Sequence, residues 1–221
     1  MRQEIADPQP SRLEGLESGF SLIELPIVLL IFSVLTTTAV ILISQANKNV
    51  QSSLGSSGLN AEGLAALGQM TREIRTAGFP SVRSYTAAAV LAHPGIVATP
   101  FTTASSYDLV FQGDINGDGR VEQIEYSLAQ GSTTIVRVVT PINSDGTPAA
   151  SMQTETVLLS NVQNQLQGIP LFTWDVNASS AAAFPLNIRT VYIKAVLSET
   201  YPTANQPTNL TLMASCQRLS P

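Results

Sequence analysis

Apolar positions run along this chain in three different rhythms. Residues 20–43 form a nearly continuous apolar run, broken only by small hydroxyl residues, Pro26 and one carboxylate, Glu24. A helix rises about 1.5 Å per residue, so a run of this length can cross the hydrocarbon core of a bilayer. Between residues 44 and 79 the rhythm changes. Val50, Leu54, Ala61, Leu64, Leu67, Met70, Ile74 and Ala77 recur mostly every three or four positions. That spacing predicts an amphipathic continuation of the helix, with one apolar face. Gly55, Gly58, Gly63 and Gly68 lie inside it. Each interior glycine costs about 1 kcal/mol relative to alanine, so these positions read either as a hinge or as places of close packing. Gly78, with Pro80 two residues on, predicts the helix stop.

Past Pro80 the period falls to two. Tyr107, Leu109 and Phe111 alternate with polar neighbours, as do Ile124, Tyr126 and Leu128. Residues 133–140, 157–159, 171–176, 188–197 and 210–216 read as further strands. Turn clusters such as Asn143-Ser144-Asp145-Gly146 separate them. A long helix followed by a run of strands is an α+β arrangement. The outer half of the helix has an apolar face to cover, and an antiparallel β-sheet packed on that face is the economical solution.

Composition narrows the function classes. Charged residues make up 12% of the 221 residues, the net charge is −5, and no Lys/Arg cluster occurs. A nucleic-acid partner is therefore not supported, since backbone phosphates need a basic footprint. The single histidine, His93, precedes Pro94, and no Ser-His-Asp set, Cys/His cluster or phosphate-binding glycine loop is present. The expectation is a non-enzyme. Cys216 is the only cysteine, so no internal disulfide can form; its alternating surroundings predict a buried thiol.

Glu24 is the anomaly of the first segment. A carboxylate at bilayer depth costs roughly 2.5–3.5 kcal/mol on insertion scales, and intramembrane acids are functional candidates by default. The positive end of a helix dipole offsets part of the cost. The residues around it, Gly19-Phe20-Ser21-Leu22-Ile23-Glu24 followed by the apolar run, resemble the prepilin signature of type IV pilins and type II secretion pseudopilins. The resemblance implies cleavage by prepilin peptidase between Gly19 and Phe20, and N-methylation of Phe20. It implies that Glu24 compensates the N-terminal amine of a neighbouring subunit. It also implies a pilin-like fold, in which residues 1–19 are a leader, 20–43 a transmembrane helix, 44–79 its amphipathic extension and 80–221 a β-rich head. The leader departs from the family pattern: Arg2 and Arg12 stand against Glu4, Asp7, Glu14 and Glu17, and Glu17-Ser18 precede the cleavage glycine. Pro26 is unusual so early in the helix.

Softer likenesses lie further along. Thr71-Arg72-Glu73-Ile74-Arg75-Thr76-Ala77-Gly78-Phe79, Val121-Glu122-Gln123-Ile124-Glu125-Tyr126-Ser127-Leu128 and Gly168-Ile169-Pro170-Leu171-Phe172-Thr173-Trp174 are similar to segments of PilW-like minor pilins. The J-type minor pseudopilin of type II secretion is the alternative. The implied partners are prepilin peptidase, other pilins or pseudopilins through the N-terminal helix, and an inner-membrane assembly platform. The implied location is the bacterial inner membrane, single-pass with the head outside the cytoplasm, and a pilus or pseudopilus after assembly.

One stretch suggests other chemistry. Asp114-Ile115-Asn116-Gly117-Asp118-Gly119-Arg120-Val121-Glu122-Gln123-Ile124-Glu125 fits the EF-hand calcium-loop string, although its flanks read as strands. No cofactor is required by anything else in the chain, and calcium is the one candidate. Its ligands would be Asp114, Asn116, Asp118 and Glu122, with the Arg120 carbonyl, and Glu125 only if the loop is compact. In a strand beginning at Val121, Glu122 and Glu125 would point to opposite faces. Asn116-Gly117 and Asp118-Gly119 offer the metal-free alternative of a plain hairpin turn. A membrane-anchored calcium-responsive binding module is accordingly the second functional reading.

Overall fold

The computed structural model describes residues 23–176, 184–199 and 208–218. The expected cleavage site, Gly19 and Phe20, and the leader before it lie outside the described residues. The chain divides into two compact units, one ending at Asn47 and the other beginning at Lys48. Helix α1 (Glu24–Arg75, 52 residues) contributes to both.

In the first unit α1 is long and apolar enough to cross a membrane, and its apolar window is 0% buried by the protein itself. Ile27, Leu30, Phe32, Leu35 and Ile41 are all exposed. The hydroxyls in this segment satisfy themselves. Ser33 donates to the Leu30 carbonyl, Thr36 to Phe32, Thr37 to Ser33 and Thr38 to Val34, at 2.7–2.8 Å. Such back-bonding removes polar hydrogens that hydrocarbon could not solvate. Pro26 falls in the first described turn of α1. The first four N–H groups of a helix have no acceptor within it, so the missing donor is harmless there.

In the second unit a long helix packs on antiparallel β-sheet, an α+β arrangement. The first sheet is a meander of β1 (Thr103–Ala104), β2 (Asp108–Gly113), β3 (Glu122–Ser127), β4 (Ile135–Pro141) and β5 (Thr154–Leu159), in that order. The second is β6 (Phe172–Val176), β7 (Ile188–Glu199) and β8 (Thr208–Gln217). All pairings are antiparallel. A short helix, α2 (Ala87–Ala92), is capped by the Thr86 hydroxyl, which accepts from the Ala89 amide. The alanine run behind a threonine was its signal, and strand periodicity hides it.

The core is built where the period-two residues meet the helix. Leu109, Phe111, Ile124 and Tyr126 from the first sheet and Phe172, Ile193, Leu197 and Cys216 from the second join Leu67, Met70 and Ile74 of α1. The predicted helix face needs correcting. Val50, Leu54 and Leu64 are exposed, and the buried seam runs through Leu59, Ala66, Leu67, Met70, Ile74 and Ala77. Gly63 lies in this buried seam. A Cβ built there would stand 2.3 Å from Leu212 Cδ1 on β8, so the bare glycine lets the helix lie against the second sheet. Gly58 and Gly68 meet nothing within 4 Å. The helix passes through Gly55 and Gly58 without a break, so the hinge reading fails.

Helix α1 ends at Arg75, just before the stop predicted at Gly78. Thr76 and Ala77 donate to Glu73 and Ile74 in a tightened last turn, and Gly78, at φ +81°, sends its amide to the Gln112 carbonyl of β2 at 2.8 Å. The strand thus takes over the backbone bonding before Pro80 is reached. Cys216 is buried on β8, its thiol is pushed up to about 11 by burial, with Arg75 opposing, and its Sγ lies 3.7 Å from the Val191 carbonyl oxygen. It is the structural thiol expected.

Candidate functional site

Three places bear on function. The first is the start of α1. Glu24 opens the described helix, exposed, as the acidic residue of its first turn. Residues 25–47 that follow carry no charge. The arrangement places one carboxylate at the N-terminal end of an apolar cylinder. There it can accept hydrogen bonds from, or pair with, an ammonium group in a medium without competing water.

The second is the loop between β2 and β3. Gly113 pairs with Glu122, which fixes residues 114–121 as the hairpin connection. Asp114, 8% exposed, folds back over the loop. Its Oδ1 accepts from the Gly117 amide at 2.7 Å and the Asp118 amide at 3.2 Å, and its Oδ2 accepts from Gly119 at 2.9 Å. The Asn116 Oδ1 accepts from the Asp118 amide, and the Asp118 Oδ1 from the Arg120 amide. Glu122 closes the ring, its two oxygens accepting from the Ile115 amide and the Asn116 side-chain amide, each at 3.3 Å.

Asp114, Asn116, Asp118 and Glu122 are therefore brought together, as the string suggested. Their oxygens are engaged by the loop's own amides, the arrangement of a self-capped turn. Arg120 enters through its amide. Glu125 does not join. Along β3 Glu122, Ile124 and Tyr126 are buried, while Gln123, Glu125 and Ser127 fall on the other face. The extended strand carries Glu125 away from the loop and sets it opposite Val110 and Val138. Burial, together with the Asp108 carboxylate, raises its pKa. Glu122 is also raised: burial is the main cause, the Ile115 amide opposes it, and Asp118 and Asp114 add to it. Among the described residues no group of three or more His, Cys, Asp or Glu side chains stands in a metal-holding arrangement.

The third place went unseen in the sequence. Glu73 on α1 receives the Arg137 guanidinium of β4 in a two-pronged pair, with Nε to Oε2 and Nη2 to Oε1 both at 2.9 Å. The Tyr126 hydroxyl of β3 donates to Oε2 at 2.5 Å, and the Gln69 side-chain amide to Oε1 at 3.0 Å. The Arg137 and Glu73 side chains are 14% and 12% exposed. Burial works against the Arg137 cation, yet the hydrogen bonds and charge of Glu73 leave its pKa raised. Burial and the Glu73 charge push the Tyr126 phenol well above its usual range. The pair is separated by 64 residues, and no local pattern announces it. It clamps the end of the helix to the sheet.

No family model, curated protein or solved structure matches this chain. The functional reading therefore rests on the residues and their geometry.

Proposed function

We propose that this chain is a minor pilin, a structural subunit that helps initiate or build a type IV pilus after prepilin peptidase removes residues 1–19. The observation that carries the reading is the two-part helix α1. Its first part is apolar on every side with a lone carboxylate at the start, and its second part is built into a β-rich head. A subunit of this kind waits in the inner membrane, single-pass, with the head outside the cytoplasm. It enters a filament when apolar helices pack on one another. Methylated Phe20 would be the mature N-terminus, and its amine the partner of Glu24 in the next subunit. A charge pair in hydrocarbon is held tightly because breaking one partner leaves the other unpaired and without water.

Replacing Glu24 by alanine tests this. The Glu24→Ala chain should still be processed and reach the membrane, and it should be depleted from sheared filaments. Normal incorporation would sink the pairing and with it the reading of Glu24. The J-type pseudopilin of a type II secretion system uses the same N-terminal chemistry. A deletion strain separates the two: lost piliation favours the pilus, lost exoprotein secretion the secretion system.

A further inference from the structure

Beyond the end of α1 the head carries an open cavity of about 420 Å³. Val82, Val97 and Leu186 form apolar parts of its wall, Ser81 a polar one, and Arg83 and Arg218 bring guanidinium groups to it. Arg218 is the unusual member. Its Nη1 donates to the Leu186 carbonyl at 3.2 Å, and its Nε is buried with no hydrogen-bond partner. No ion pair joins Arg218 to a carboxylate among the described residues. Burial depresses its pKa.

Charges taken out of water are ordinarily paired, and an unpaired buried donor is costly. Here a partly desolvated cation lines an open space with apolar wall at Val82, Val97 and Leu186. We propose that this cavity binds a carboxylate carried on a short apolar stem, with Arg218 as its counter-ion. A guanidinium holds a carboxylate by charge-assisted hydrogen bonds, stronger than those between neutral groups. The stem would lie against Val82, Val97 and Leu186. A small hydrated oxyanion such as phosphate would leave those walls unused. The same chemistry is offered by a short-chain fatty acid and by the free C-terminus of a peptide ending in an aliphatic residue. The site stands apart from the helix, so its failure would leave the assembly reading of α1 untouched.

The test is an amide-resolved NMR titration of the full chain in non-ionic detergent. The probes are hexanoate, acetate, inorganic phosphate, and a short leucine-ending peptide with a free or an amidated C-terminus. Hexanoate should shift Val82, Val97 and Leu186 saturably and bind at least about tenfold tighter than acetate or phosphate. Arg218→Gln should weaken it by at least about tenfold. Val82→Trp, at a position 60% exposed, should block it without disturbing the fold. Displacement of hexanoate by the free-carboxylate peptide and not by the amidated one would assign the natural ligand to a chain terminus; no displacement by either would assign it to a small carboxylate. The proposal falls if no saturable shift appears at the cavity, if phosphate binds as tightly as hexanoate, or if Arg218→Gln binds unchanged. Should Arg218→Gln fail to fold, Val82→Trp decides: undiminished binding in that variant overturns the site. Partition of hexanoate into detergent would shift residues 24–43 instead and would not depend on Arg218.

Discussion

The two halves of α1 are made of similar apolar residues and treat them differently. In the first, Leu30, Phe32, Leu35 and Ile41 are exposed around the whole circumference, and the hydroxyls between them are tied to their own backbone. In the second, a narrow seam from Leu59 to Ala77 is buried, and the rest of the surface mixes polar residues with exposed Val50, Leu54 and Leu64. The seam carries its own cover in two sheets. The first half has none and needs an apolar medium from outside, which a bilayer or a bundle of like helices supplies. Apolarity alone does not separate the two cases. What separates them is whether small or polar residues confine it to one stripe.

The largest way to break this comparison acts on the second half alone. Arg137→Ala would strand the Glu73 carboxylate and the Tyr126 hydroxyl against the helix. Breaking a buried pair of this sort costs about 3–5 kcal/mol. Urea unfolding followed by the fluorescence of Trp174, the single tryptophan, should show the loss, while membrane association stays unchanged. The complementary change acts on the first half. Val34→Arg should lower membrane insertion by about 2.5–3.5 kcal/mol on an insertion assay and leave head unfolding where it was. An effect of either variant on the other property would mean that the two halves are not independent.

Glycines sharpen the contrast within the seam. Gly68→Ala meets open space and should stabilise the head by about 1 kcal/mol through helix propensity. Gly63→Ala gains the same propensity but forces Leu212 aside, so its midpoint should stay level or fall. Equal gains at both would remove the close-packing role of Gly63.

The smallest expected effect lies in the β2–β3 loop. The folded-state pKa of Glu122 is raised, so the folded protein holds its proton more firmly than the unfolded chain. Stability from this group is therefore present at pH below its ordinary value and lost as pH rises through the raised one. Glu122→Gln keeps the acceptor for the Ile115 amide and removes the charge. It should raise the melting temperature slightly at pH 7, with the gain vanishing below the ordinary carboxylate range. Wild-type protein should give no binding heat with millimolar calcium. Calcium-dependent heat that Glu122→Gln abolishes would restore the metal reading of Asp114, Asn116, Asp118 and Glu122.

Local patterns carried much of this architecture. Alternation at Ile124, Tyr126 and Leu128 revealed β3 and its inner face, because a strand's faces are written two residues apart. The same rule sets Glu122 and Glu125 on opposite faces of β3. The string from Asp114 to Glu122 located a real cluster, although a one-dimensional pattern cannot say whether amides or an ion fill it. Long-range choices were not legible. Leu64 and Leu59 are both plausible helix contacts in sequence, and only the fold shows that Leu59 is buried and Leu64 exposed. Glu73 and Arg137 look like two solvated charges until the fold brings them within 2.9 Å.

The account depends most on the N-terminal segment. The direct measurement is the mass of the mature N-terminal peptide from cells with active prepilin peptidase. The account predicts a chain beginning at methylated Phe20. A chain that still begins at Met1 would contradict it.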